Sequence, residues 1–259
     1  MAALKCPFER SLCLFSLRVK DFSMQIANSV ALVTGANRGV GRHLAAQLLE
    51  RGAAKVYAAV RNPESVDMPG VEVLALDITD PDSIAAAAAV ASDVTLLVNN
   101  AGINTETDLV NGDLDEIERD MDTNFYGPLR MIRAFAPILK AGGGGAIVNV
   151  VSAASWVPGE KWGAYHAAKA ATWSLTNSVR LELAGQNTQV TGVYFGPTDT
   201  DLAKAVPLAK NDPADVVTAI LDGVEAKKSE VIADALSVRA KADLALDPAE
   251  VYAPTGSAA

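Results

Sequence analysis

The chain has 259 residues, half of them hydrophobic and 20% charged, with 22 Lys and Arg against 31 Asp and Glu for a formal charge of −9. An acidic balance argues against nucleic acid as a partner, and the hydrophobic share supplies a large core rather than disorder. No uninterrupted apolar run reaches the ~20 residues of a bilayer-spanning helix, so one soluble domain with no membrane association is expected.

Residues 1–23 set Lys5, Arg10, Arg18 and Lys20 against Glu9 and Asp21, a basic stretch before an acidic body. Charges break its apolar residues every few positions, which suits a secretory signal poorly. The stretch reads as an unstructured extension, or as a start assigned upstream of a true beginning at Met24, with a basic organelle presequence as a third reading. Both cysteines, Cys6 and Cys13, lie in it, and the body keeps only His43 and His166 among softer ligands. Neither a disulfide framework nor a metal centre is expected, and a thiol-free body suits a reducing, cytoplasmic setting.

From residue 29 onward, short apolar runs alternate with Ala- and Leu-rich amphipathic stretches. Strands are predicted at 30–33, 55–60 and 71–76, with a helix at 41–51 after the first. Asp80 and Pro81 give a helix its N-cap and first-turn proline ahead of a run of alanines. Then come a strand at 95–98, a long helix at 114–140 interrupted at Gly127-Pro128, and a run of glycines at 142–145. A strand at 146–151, a helix at 163–184, a strand at 189–195, a helix at 213–227 and a strand at 230–233 follow. Residues 247–259 read as a loosely ordered tail, leaving 24–246 as the domain. The alternation implies βαβ crossovers, and so a single doubly wound α/β domain of Rossmann type, with about seven parallel strands and helices on both faces.

Directly after the first strand stand Thr34, Gly35, Ala36, Asn37, Arg38, Gly39, Val40 and Gly41. Glycines so spaced, between a strand and a helix, let the backbone approach a pyrophosphate at the helix N-terminus. Sites for NAD close the second strand with an acid. Here that strand ends Val60, Arg61, Asn62, and Arg38 and Arg61 instead offer forked cations to a 2′-phosphate. NADP(H) is therefore expected over NAD(H), the competing reading being two solvated arginines. Asp77, followed by Ile78, reads as an adenine contact or equally as a strand-end turn. Asn99, Asn100, Ala101 and Gly102 either tie strand ends together or form a simple turn.

Ser152 precedes Tyr165, and Lys169 follows the tyrosine at i+4, on the same helix face. An ammonium beside a phenol lowers its pKa from ~10 toward neutrality, so Tyr165 is expected to act as a general acid/base with Ser152 polarising the same substrate oxygen. The chain lacks a Gly-x-Ser-x-Gly elbow, which speaks against a hydrolase.

The order of glycine turn, Asn99 to Gly102, Asn124, Ser152, Tyr165 and Lys169 resembles the short-chain dehydrogenase/reductase family over residues 29 to about 233. The resemblance implies hydride exchange between a nicotinamide cofactor and a carbonyl carbon. It makes Asn124, Ser152, Tyr165 and Lys169 the catalytic set, with Asn124 holding a water that links Lys169 to a proton relay. It implies cofactor contacts from Gly35, Asn37, Arg38, Gly39, Val40, Gly41, Arg61, Asp77, Ile78, Asn100, Ala101, Gly102, Tyr165, Lys169, Gly196, Pro197, Thr198 and Thr200. It also implies a homodimer or homotetramer. Phe195 stands where the family usually has proline, and reads equally as core or ligand wall. Ile103, Ala154, Trp156, Val157, Trp162, Leu202 and Val206 are expected to wall a pocket for an apolar ketone or aldehyde and its alcohol. The tryptophans alternatively pack under a loop or in a subunit contact. A non-catalytic dinucleotide sensor on the same fold is the alternative function, and the intact Ser152, Tyr165 and Lys169 argue against it.

Overall fold

A computed structural model describes residues 24–252 apart from Glu160; the basic stretch 1–23 and the last part of the tail, 253–259, lie outside the described residues. Seven parallel strands, β1 (Val30–Thr34), β2 (Lys55–Val60), β3 (Glu72–Ala75), β4 (Leu96–Asn99), β5 (Gly145–Val150), β6 (Thr188–Tyr194) and β7 (Glu230–Ile232), run in the order β3-β2-β1-β4-β5-β6-β7. The winding direction reverses between β1 and β4, which is where a doubly wound sheet opens a crevice beyond its strand ends.

The pleat divides the core. Ala31 and Val33 of β1 pack with α1 (Gly39–Glu50) and α6 (Pro213–Glu225) on one face, through residues such as Leu44, Leu48, Val217 and Ile220. Leu32 points the other way, into the cluster built by α2 (Pro81–Val90), α4 (Gly127–Ala141) and α5 (Gly163–Glu182), with Ile84, Met131, Phe135 and Val179. Burial on both faces is why these strands read as continuous apolar runs. Several helices, α2 and α6 among them, begin on capping acids. Asp80 and Asp212 each accept the backbone N–H two residues on, and each is followed by proline.

Three features depart from the sequence reading. The predicted helix at 114–140 is α3 (Leu114–Met121), a π turn at 122–126, and α4 in unbroken succession, with the Gly127 N–H reaching Asp122 five residues back. Gly127-Pro128 therefore widens the helix rather than stopping it. Pro128 has no N–H to give the Asn124 carbonyl and its ring crowds that oxygen, so the turn just before it opens. Second, α7 (Ala235–Asp243) was not foreseen; it begins on Asp234, which accepts the Ser237 N–H, and buries only Ser237 and Ala240. Third, the tail is ordered at its start. The helix α8 (Pro248–Val251) follows it, and the Tyr252 hydroxyl donates to the Trp156 carbonyl at 3.2 Å. Among the described residues no helix is long and apolar enough to cross a membrane.

Candidate active site

The strand ends around the switch point open on a cleft of about 870 Å³. One end is built from backbone. Gly35 (φ +67°) and Gly39 (φ +52°) hold left-handed conformations, and a Cβ on Gly41 would lie 2.2 Å from the Gly35 carbonyl oxygen. Arg38 begins α1 without a side-chain cap, so the first N–H groups of that helix face the cleft, as an anion site needs. The turn is pinned to β4. The Thr34 hydroxyl accepts from Asn100 N and Ala101 N, both at 3.0 Å, and Asn100 Nδ2 donates back to the Thr34 carbonyl at 2.9 Å. Asn99 Nδ2 donates to Asn149 Oδ1, which in turn donates from Nδ2 to the Thr176 hydroxyl, fastening β4, β5 and α5 together. The stretch 99–102 thus ties strand ends while it walls the cleft.

At the outer corner of this end, Arg61 lines the cleft beside Asn62 and Ser65. Arg38 lines it too, with Nη1 donating to Asp201 Oδ2 at 2.7 Å, both side chains largely exposed. Asp77 Oδ1 accepts from the Thr79 N–H and hydroxyl, so it is a turn residue that also faces the cleft. Burial pushes its carboxyl up, but the two Thr79 bonds and the Arg61 charge outweigh it and hold the carboxyl below its ordinary range.

At the far end Ser152, Tyr165 and Lys169 converge. Ser152 has φ +127° and ψ 152°, a region that L-residues almost never occupy, and its hydroxyl accepts the Ala154 N–H at 3.1 Å. Lys169 is buried, with Nζ 5.5 Å from the Tyr165 ring centre and donating to the Val150 carbonyl at 3.1 Å. Burial pushes Lys169 down to about 8, with Asp120 opposing. The phenol departs from expectation. Removal from water pushes Tyr165 up to about 12, with the Ser152 hydrogen bond opposing and Asp120 adding to the rise. The ammonium lies over the ring and spends a proton on Val150 rather than on the phenol oxygen, so its effect on the phenol is small.

Asn124 sits in the π turn and is buried behind the wall rather than on it. Its carbonyl, freed from the helix by Pro128, accepts from the Thr172 hydroxyl at 2.7 Å. Its side chain is held by Ile103, accepting from the Ile103 N–H at 3.3 Å and donating to the Ile103 carbonyl at 3.0 Å, and it shares Gly102 with Lys169: a Cβ added there would lie 2.8 Å from Asn124 Oδ1 and 3.6 Å from Lys169 Nζ.

The remaining wall is apolar loop. Ile103, Ala154, Val157, Trp162, Leu202 and Val206 line it as expected. Trp156 does not. It is buried, stacked 4.2 Å from Tyr194 with Lys241 over its ring, and belongs to a small core beneath the loop. Phe195 does both things asked of it, packing on the α1 side of the core and lining the cleft. Gly196, Pro197, Thr198 and Thr200 carry the wall into the excursion 199–210, which closes on itself where Thr198 bridges Asn211. Asp234 binds both stems, accepting from Gly196 N at 2.6 Å and Asn211 Nδ2 at 2.9 Å. Every expected cofactor contact, from Gly35 to Thr200, lies on the cleft. Sequence reasoning missed Leu236. It comes from the unforeseen α7, and nothing local in its sequence points to a pocket.

The short chain dehydrogenase family model matches residues 29–211. A short-chain dehydrogenase from Burkholderia cenocepacia, solved in complex with NADP, is 40% identical with a TM-score of 0.85, over 89% of this chain and 98% of that one. One from Streptomyces avermitilis is 26% identical with a TM-score of 0.79, over 87% of this chain and 96% of that one. The NADPH-dependent 1-acyldihydroxyacetone phosphate reductase of Schizosaccharomyces pombe is 35% identical over 68% of this chain, and the match spans 62% of that protein's length. The 3-oxoacyl-(acyl-carrier-protein) reductase of Vibrio cholerae is 34% identical over 71% of this chain and 79% of its own.

Proposed function

Because the chain belongs to the short-chain dehydrogenase family, we propose that it is an NADP(H)-dependent reductase that turns an apolar ketone or aldehyde into its alcohol. The observation that carries this reading is Tyr165, a phenol held protonated at neutral pH, bonded to the Ser152 hydroxyl and set over a buried ammonium at the inner end of the cleft.

A nicotinamide coenzyme, when bound, supplies the hydride. The residues of this chain fit it: the glycine turn leaves a cradle that a Cβ would fill, and the uncapped start of α1 faces the pyrophosphate position. Arg38 and Arg61 favour a 2′-phosphate, for which Arg38 would exchange its Asp201 partner, and no acid closes β2 against it. The NADP complex of the Burkholderia protein and the NADPH dependence of the Schizosaccharomyces reductase support the same preference.

Tyr165 gives its proton to the carbonyl oxygen as that oxygen gains charge, and Ser152 donates a hydrogen bond to the same atom. Lys169 would hold the ribose hydroxyls of the coenzyme, and it keeps a positive charge under the phenol as the phenol loses its proton. The walls from Ile103, Val157, Trp162, Leu202 and Val206 exclude water and suit an apolar substrate. Tyr126 and Leu181 leave apolar side chains exposed on the turn before α4 and on α5, and support assembly of like subunits, which light scattering after size exclusion tests.

The test is nicotinamide absorbance decay with NADPH and NADH over aryl, alicyclic and aliphatic carbonyls, beside Tyr165→Phe. Turnover with NADPH that the variant loses by about 10²- to 10⁴-fold is the expected result. Coenzyme binding with no turnover on any carbonyl would overturn the reading.

A further inference from the structure

Behind the cleft lies a carboxylate that the reaction just described does not use. Asp120, on α3, is fully buried. Its Oδ2 accepts from the Thr105 hydroxyl at 2.5 Å and the Thr105 N–H at 3.2 Å, and its Oδ1 accepts from Asn124 Nδ2 at 3.0 Å. Asn124 Oδ1, which accepts from the Ile103 N–H, and Lys169 Nζ both approach Gly102. Hydrogen bonds thus run from Thr107 through Thr105 and Asp120 to Asn124, which has the Gly102 backbone as a common neighbour with the ammonium.

A buried carboxylate costs several kcal/mol unless something answers its charge, and so does a buried ammonium. Asp120 and Lys169 act on each other across this short span. The groups around them are otherwise neutral or paired elsewhere. From α5 the pair faces Tyr165, from β5 the Val150 carbonyl, and from the loop 103–107 the hydroxyls of Thr105 and Thr107. Glu116 pairs with Arg119, and Asp122 with Arg130, toward the surface.

We propose that Asp120 is a positioning residue of the site, orienting the Asn124 amide and serving as the counter-charge that keeps Lys169 an ammonium. The proposal rests on the reductase reading for its consequence but not for its test. Burial pushes the Asp120 carboxyl up, against its hydrogen bonds and Lys169, so its ionisation falls nearer neutrality than that of a surface carboxylate.

The experiment follows the Lys169 ¹³Cε resonance in coenzyme-free protein labelled at lysine, assigned with Lys169→Met, from pH 5 to 11. In the natural protein the resonance should titrate near 8, with a smaller inflection at lower pH where Asp120 takes its proton. In Asp120→Asn the main midpoint should fall by one pH unit or more, a tenfold loss in the protonation equilibrium. The variant's reductive kcat at pH 8 should then fall about fivefold for a one-unit shift and recover toward the natural value at pH 6, with KM little changed. A merely structural role would lower kcat by one factor at every pH. An unmoved midpoint in folded Asp120→Asn overturns the proposal. Should that variant not fold, the natural protein decides, since absence of the lower inflection overturns it equally. Thr105→Val, which removes a donor to the carboxylate, should move that inflection upward. Coupling of the two groups in a protein that turns over no carbonyl would overturn the reductase reading and leave this one standing.

Discussion

The two ends of the cleft are built from different material. The end under the glycine turn is backbone, held by hydrogen bonds from Thr34 and Asn100 and by glycines that leave no room for a side chain. The end under residues 199–210 is side chain on loop, with Leu202 and Leu208 about half exposed and the loop tied at its stems by the Thr198 bridge to Asn211 and by Asp234, and to α1 by the Arg38–Asp201 ion pair. A ligand common to many proteins can be met by backbone, whose shape few sequences change. A ligand particular to one protein must be met by side chains, which change freely.

Gly41→Ala should break the first end most severely. Its Cβ meets the Gly35 carbonyl and Asn100 Nδ2 at 2.2 and 2.5 Å, so something must part. We expect a loss of about 3 kcal/mol in stability by denaturant melts and a rise of about 100-fold in the NADPH Kd by fluorescence titration. Arg38→Ala with Arg61→Ala should sharpen the contrast within that end, raising the NADPH Kd about 10- to 100-fold while the NADH Kd holds within about twofold. Equal losses for both coenzymes would remove the 2′-phosphate from the account.

At the other end, Leu202→Ala with Val206→Ala should raise the KM of an apolar carbonyl about tenfold, the loss of one well-buried aliphatic contact. Stability should stay within about 0.5 kcal/mol, as for exposed positions. A large drop in Tm would show that this loop belongs to the core after all. Ser152, at the seam, sets backbone conformation against side-chain chemistry. Ser152→Gly should be more stable than Ser152→Ala by about 1–2 kcal/mol, because glycine occupies φ +127° without strain. Both should lose reductive activity alike, so calorimetry separates the conformation from the hydroxyl. The natural pH profile bears on the same seam: reductive kcat/KM should fall as pH rises through about 8, where Lys169 loses its proton, and not near 12, where Tyr165 does.

The sheet and the glycine turn were legible because the period of the apolar residues and the position of glycine both report backbone geometry directly. So were Ser152, Tyr165 and Lys169, whose meaning lies in their order along the chain. The π turn was not, since its cause is one proline acting on a carbonyl four residues earlier, a pattern that also reads as a helix break. Trp156 stood open between pocket wall and packing under the loop, because an aromatic on a loop is written the same way whether it stacks on Tyr194 below or faces a ligand above. The direction of the Tyr165 shift was missed because i, i+4 spacing places two side chains on one face without saying which atom each one reaches. Asp120 went unread for a related reason: in an acidic helix, nothing marks one carboxylate as the buried one.

Asp234 grips both stems of the excursion at 199–210, and the Thr198 bridge to Asn211 closes its neck. Thr200 and Asp201 still reach the coenzyme end, Asp201 through Arg38, but among the described residues the backbone of 202–210 hydrogen-bonds only within the excursion. Segments of other lengths and compositions can be grafted between Asp201 and Asn211, so the protein offers a ready port for retargeting its chemistry while the contacts of the coenzyme end stay in place.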